Sequence, residues 1–512
     1  MKQVWLADDA TGAGTLTNLK KWWDTIVSEG TKVGYYVNEP KSWLILKDAN
    51  ALEQATEIFE GTGIQITTEG KRHPGAAIGS SNFRVSYATK KIAGWCAEME
   101  NLSVIAKSQP QAAFAAYIHG EQHKFSYFLR TIPCMGNLLE PLDNIIDKQF
   151  IPALFGSDAI SDIERNLYSL PIRLGGLGIP VLTDKAEEDF ASSKTITAPL
   201  AAIMMMQDNH LPESEEVTNL RKGIQQQKST LLERKANLIN ELLPKTTQRA
   251  VVQAKEHGAS NWLSILPLKE QGFNLNKGEF RDALAIRYNR NIKGLPSNCP
   301  CGQKYTLDHA LNCKLGGFVT IRHNTIRDFE ANLLRQTCKD VEVEPALQPL
   351  DGEQLRGLTG DGARPDIRAR GFWRTGQNAF FDVRVTNVNA KSQSHLSSTR
   401  IYSKHEADKK REYNERVMQV EHGSFTPLIF SLNGGSGPEC ERYHRHIAQR
   451  IADKTGEKYE HIMTWIRCKL SFLIIRACLL CVRGSRPHQT RCETDAVSDY
   501  MLACDTARLQ FN

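Results

Sequence analysis

Two aspartates late in the chain carry the sharpest chemical signal. Asp366 stands in Arg364-Pro365-Asp366-Ile367 and Asp382 in Phe380-Phe381-Asp382-Val383-Arg384-Val385, on consecutive strand-like segments whose turn contains Thr375-Gly376-Gln377-Asn378. If the segments pair as a hairpin, both carboxylates reach one edge and can grip Mg²⁺ or Mn²⁺, hard cations that prefer oxygen ligands. Such a cation polarises a phosphodiester and lowers the pKa of an attacking water. An Asp embedded in Phe-Phe-Asp-Val is costly to bury without a partner, which favours a metal over a merely structural carboxylate. Arg384 keeps its proton, so it can stabilise a charged transition state but cannot act as a base. The following helical stretch offers Lys404, Lys409 and Lys410 close to Tyr413. A solvated charged helix is the competing reading there, because Glu406, Asp408, Glu412 and Glu415 interleave the lysines. Glu330, on the preceding helix, reads as a surface residue rather than a third carboxylate of the site.

A second constellation is Cys299, Cys301, His309 and Cys313, four metal-ligand types within fifteen residues, with Gly302 and Gly316-Gly317 supplying sharp turns. Three thiolates and one imidazole suit tetrahedral Zn²⁺. His309 and Cys313 are four apart and can share one helical face. Cys299-Pro300-Cys301 makes a cramped chelate, and His323 is the substitute ligand should one of those thiols face away. The competing reading is that some of these thiols are small buried residues.

The third is Asp8-Asp9, which follows the apolar Val4-Trp5-Leu6 and precedes Thr11-Gly12-Ala13-Gly14. Adjacent aspartates in a tight turn suit a divalent cation, although a lone pair is more often a solvated turn. Three further stretches follow in order: Asn38-Glu39-Pro40-Lys41-Ser42, Arg72-His73-Pro74-Gly75-Ala76-Ala77-Ile78-Gly79, and Leu174-Gly175-Gly176-Leu177-Gly178-Ile179 after Leu170-Pro171. Together with Asp8-Asp9 they resemble the metal-binding palm motif, two later palm motifs and a thumb element of reverse transcriptases from non-LTR (LINE-like) retrotransposons. The cysteine cluster resembles the zinc knuckle of some of these elements, with Cys-x-Cys where Cys-x-x-Cys is usual, and Arg322-His323-Asn324 resembles a short motif found beside it. The two later aspartates resemble the PD-(D/E)xK pattern of the restriction-like endonuclease that follows, with Arg384 in place of the lysine. The resemblance implies a lysine and a tyrosine on the next helix, for which Lys410 and Tyr413 are the choices. It also implies DNA as partner, element RNA as a second candidate, Mg²⁺ (or Mn²⁺) at the endonuclease site and Zn²⁺ at the knuckle. Polymerases hold two metals and need a further Asp from an upstream strand. Seven residues precede Asp8, so the expectation is a truncated, polymerase-inactive segment.

The elements that must position these groups follow from the pattern of apolar residues. Residues 1–90 alternate strand-like and helical pieces, with Gly34–Val37 and Ser42–Leu46 as partner strands. Residues 91–294 are helical, with a charged helix pair from Pro212 to His257 interrupted near Pro244. Residues 295–320 form the cysteine knot. Residues 321–485 run helix, three strands, helix, strand, and then two more helices. Residues 486–512 form a basic, flexible tail. The class expected is therefore α+β multidomain: a partial palm and helical thumb, a small knuckle and an endonuclease-like α/β domain.

Composition is that of a globular chain, 41% hydrophobic and 24% charged. A net charge of +6 assigns nucleic-acid binding to local patches rather than a global field. The acid-free stretch His461 to Cys492 is one such patch, or else a core helix with an exposed basic end. Twelve cysteines with no secretory signal before them point to a reducing compartment, nuclear or cytoplasmic, not secreted. Leu470 to Val482 is too short to span a bilayer, so no membrane segment is expected.

Overall fold

A computed structural model describes residues 1–73, 76–156, 160–208, 214–347, 364–393 and 395–486. The chain is α+β and divides into two compact units. The first unit comprises Met1–Ile105, Ala116–Ala153 and Pro180–Lys235; the second comprises Ala106–Ala115, Leu154–Ile179 and all that follows Lys235. The helical stretch 91–294 is thus shared between them rather than forming a unit of its own.

In the first unit, Lys2–Leu6 and Asp9–Ala13 make an antiparallel hairpin. Trp43–Ile45 pairs in parallel with Gln65–Thr67 over a small core of Trp23, Leu44, Leu46, Ala55 and Phe59. Gly34–Val37 is not the partner strand expected from its composition. Gly34 adopts a left-handed φ of 80°, and Tyr35 N–H returns to Gly30 O at 2.9 Å, so this segment ends the helix Leu16–Gly30 instead. The expected break near Pro244 occurs: Ser214–Leu242 is followed by Lys245–Ala254, with Pro244 just ahead of the second helix.

In the second unit, the Gly-Gly-Leu-Gly element is a tight turn. A Cβ on Gly176 would meet Leu170 O at 1.9 Å, so no side chain fits. Buried Arg287 ties the turn down by donating to the carbonyls of Ile172 and Gly176.

The rest of that unit is built on one mixed sheet. Its elements are α1 (Phe318–Thr337), β1 (Lys339–Val343), β2 (Ile367–Arg370), β3 (Asn378–Thr386), α2 (Ser398–Gln419), β4 (Ser424–Ser431), α3 (Pro438–Thr455) and α4 (Tyr459–Arg483). Across the sheet the order is β4-β3-β2-β1; β1–β2 and β2–β3 are antiparallel, β3–β4 parallel. A parallel neighbour requires a crossover, and α2 supplies it. Both faces are covered, which is why β3 and β4 read as nearly continuous apolar runs. Phe381 and Val383 of β3 and Leu428 and Phe430 of β4 join a core with Ile326, Leu333 and Leu334 of α1, Tyr443 and Ile447 of α3, and Ile466 and Ile474 of α4. Phe380 and Phe425, pointing the opposite way, pack with Tyr413 and Val417 of α2. Pro427 is tolerated because β4 is an edge strand.

Candidate functional site

The register of β2 and β3 decides where the acidic pair sits. Ile367 pairs with Phe381, so one further step brings Asp366 opposite Asp382, on the face that β3 turns towards α2. Both aspartates are buried. Asp366 Oδ2 accepts from Val383 N–H at 2.6 Å and lies 3.1 Å from His323 Nε2 on α1. Its own carbonyl takes Glu344 N–H at 2.8 Å. Arg364 does not neutralise it; the Arg364 carbonyl instead accepts from Tyr413 Oη at 3.3 Å.

Asp382 faces Lys409. The ammonium lies 3.1 Å from Asp382 Oδ2 and 3.4 Å from Oδ1, and 3.2 Å from Glu412. Oδ2 is buried and accepts no hydrogen bond of normal geometry, so this carboxylate is under-satisfied. Burial first, and then the charge of Asp366, push the Asp382 carboxyl up to about 7, against the opposing pull of Lys409. Burial would lower Lys409, but the charge and hydrogen bond of Asp382 outweigh it and raise the ammonium above its ordinary value. Tyr413 lies beside Lys409, with Nζ 5.1 Å from its ring centre, and burial and then Asp382 push its hydroxyl up.

The helix lysine at the acidic pair is therefore Lys409, not Lys410. Lys410 turns to α3 and pairs with Glu439 at 2.6 Å. The difference was readable: Ile401, His405, Lys409, Tyr413 and Val417 recur every four residues along the face of α2 that packs on the sheet, and Lys410 is about 100° round the helix from Lys409. Arg384 lies on the Asp382 face of β3, half-buried, near His405; burial and then Arg384 bring that imidazole down to about 4. Glu330 is not a surface residue. It is fully buried and lies 3.0 Å from His444 Nε2. His323, the substitute zinc ligand of the sequence reading, belongs to Asp366.

The cysteine cluster assembles without it. Cys299, Cys301, His309 and Cys313 place their ligand atoms within 4.8 Å of one another, the one such group of three or more found among the described residues. Cys299 N–H bonds Gln303 O, and Gly302, with φ of 89°, donates its N–H to Cys299 O and closes the turn that carries the first two thiols. Thr306 caps the short helix Leu307–Asn312 by accepting from His309 N–H at 3.1 Å, and Cys313 ends it. Zn–S and Zn–N bonds of ordinary length give tetrahedral edges of roughly 3.8 Å between sulfurs and roughly 3.6 Å between sulfur and nitrogen. Cys299 and Cys313 are 3.9 Å apart, and Cys301 Sγ lies 3.3 Å from His309 Nε2. The donor set and its spacing fit a zinc-binding motif.

Asp8 and Asp9 are exposed at the tip of the first hairpin, and no cluster of metal-ligand side chains among the described residues includes them. The basic stretch of α4 is engaged internally: Lys469 donates to Gln271 O, Arg476 to Asn274 O, and Arg483 pairs with Asp282. Arg486 does not begin a free tail; it is buried against Tyr305 and Phe318 and donates to Ala310 O. Residues 487–512 lie outside the described residues. No helix among the described residues is long and apolar enough to cross a membrane. Comparison with protein-family models and with curated proteins gives no match.

Proposed function

We propose that this chain is a retroelement-derived, metal-dependent DNA endonuclease, with a PD-(D/E)xK-like domain as its catalytic part. The observation that carries the reading is the cross-strand pair Asp366 and Asp382, with Lys409 directed at it from the crossover helix. Two buried carboxylates, one with an under-satisfied oxygen, suit a hard divalent cation. Mg²⁺ or Mn²⁺ held there by Asp366 and Asp382 would supply Lewis-acid activation of water and phosphate. Lys409 and Arg384 provide fixed positive charge for the developing oxyanion. Tyr413 packs beside Lys409 and orders its ammonium.

In this reading the Cys/His cluster holds Zn²⁺ as a knuckle. The first unit corresponds to palm elements of a retroelement reverse transcriptase with part of a helical thumb. DNA is the principal partner and element RNA a second, in a nuclear or cytoplasmic setting. The Lys409–Asp382 ion pair favours one alternative, a non-catalytic nucleic-acid-binding remnant, because it already neutralises a carboxylate that a metal would need. Metal-dependent nicking of supercoiled DNA by the wild type beside Asp366→Ala separates the two.

A further inference from the structure

We infer that His323 is the positioning residue of the acidic pair, an inference that rests on the endonuclease reading above. His323 reaches from α1 to the end of β3, where Nε2 lies 2.9 Å from Val383 O and 3.1 Å from Asp366 Oδ2. A carbonyl oxygen only accepts, so the proton resides on Nε2 and is shared between the carbonyl and the carboxylate. Asp366 Oδ2 also receives Val383 N–H. The bond from Nε2 to Val383 O and the bond from Val383 N–H to Asp366 Oδ2 together tie the residue after Asp382 to the carboxylate opposite. Asp366 cannot swing away without breaking this node.

The node is held from behind. Arg322, the preceding residue, is buried and donates to Leu311 O in the short helix of the Cys/His cluster at 2.9 Å. His323 thus stands on a turn of α1 that is fixed on its other side, and its ring has little freedom. Groups that orient a metal-binding carboxylate without touching the ion set its affinity, and losing one costs about 10- to 100-fold.

The test is Mn²⁺ binding to the full-length chain, followed by paramagnetic resonance of free Mn²⁺, with the zinc-type cluster loaded throughout. His323→Leu removes the donor at similar volume; His323→Gln keeps an N–H at the reach of Nε2. The expected result is Mn²⁺ affinity lowered about 10-fold or more in His323→Leu and restored to within about 3-fold in His323→Gln. If His323→Leu fails to fold, His323→Asn replaces it, since its amide stops short of Val383 O; a loss of the same size is expected. Wild-type affinity in His323→Leu, or in His323→Asn where that replaces it, would overturn the inference and leave the endonuclease reading standing. Absence of Mn²⁺ binding in the wild type, unchanged by Asp382→Asn, would overturn both together.

Discussion

Lys409 lies 3.1 Å from Asp382 Oδ2, while Lys410, the next residue along the helix, turns away to Glu439. One residue of helix separates a cation that touches the acidic pair from one that does not. Replacing Lys409 with Met is expected to lower metal-dependent nicking by about 10²-fold or more, the usual cost of losing a preorganised charge at a reacting phosphate. Lys410→Met is expected to stay within a few-fold of wild type. Initial nicking rates at saturating Mg²⁺ check this; equal losses in the two variants would break the assignment.

Asp382 gives a pH dependence of known sign. Its carboxyl is pushed up to about 7 in the folded chain from an ordinary 3.8, so the folded state keeps a proton that the unfolded state releases. Stability from this group is fully present below about pH 4 and is lost as pH rises towards 7. Without added divalent metal, the wild type should lose on the order of 3 kcal/mol between pH 5 and pH 8 relative to Asp382→Asn. Urea unfolding at the two pH values measures it, and parallel behaviour of the two proteins would contradict the burial and charge argument.

Much of the sheet unit was legible because its sequence leaves few choices. Phe380-Phe381-Asp382-Val383 and Pro427-Leu428-Ile429-Phe430 are too apolar and too short for anything but covered strands, and they became β3 and β4. The Cys/His cluster was legible because all its ligands are local. What was missed depends on partners distant in sequence. His323 finds Asp366 43 residues on, and Glu330 finds His444 114 residues on. Glu330 did carry a signal, since it lies four residues from Ile326 and four from Leu334 on the buried stripe of α1. Gly34–Val37 was misread because Tyr-Tyr-Val suits a strand, and only the helix end at Gly30 shows that these residues close a turn.

The Glu330–His444 contact is completely buried, with Glu330 Oε1 and His444 Nε2 3.0 Å apart. His444→Leu should strand the carboxyl group in the core and cost roughly 3–5 kcal/mol, the range for breaking a buried pair. The double variant Glu330→Leu, His444→Leu should recover a substantial part of that loss. Equilibrium unfolding of the single and double variants decides it; a single-variant cost below about 1 kcal/mol would mean the pair is not interacting as described.

The Cys/His cluster should bind one zinc per chain. Its short helix is held to α1 and to the end of α4 by Arg322 on Leu311 O and Arg486 on Ala310 O. Cys313→Ala should therefore lose zinc and also lower the thermal midpoint of the sheet unit, not of the knuckle alone. Elemental analysis and a melting curve on the same sample check both. Full zinc content in Cys313→Ala would show that the ligand set is wrong.

The most direct test of the central claim is nicking of supercoiled plasmid DNA by the purified chain, with Mg²⁺ or Mn²⁺ and with neither. Wild type is compared with Asp366→Ala and Asp382→Ala. The account predicts conversion of supercoiled to open-circle DNA by the wild type only when divalent metal is present, and its loss by at least about 10²-fold in both variants. Folded wild-type protein that leaves the plasmid intact with either metal, or nicking that survives in both variants, would contradict it.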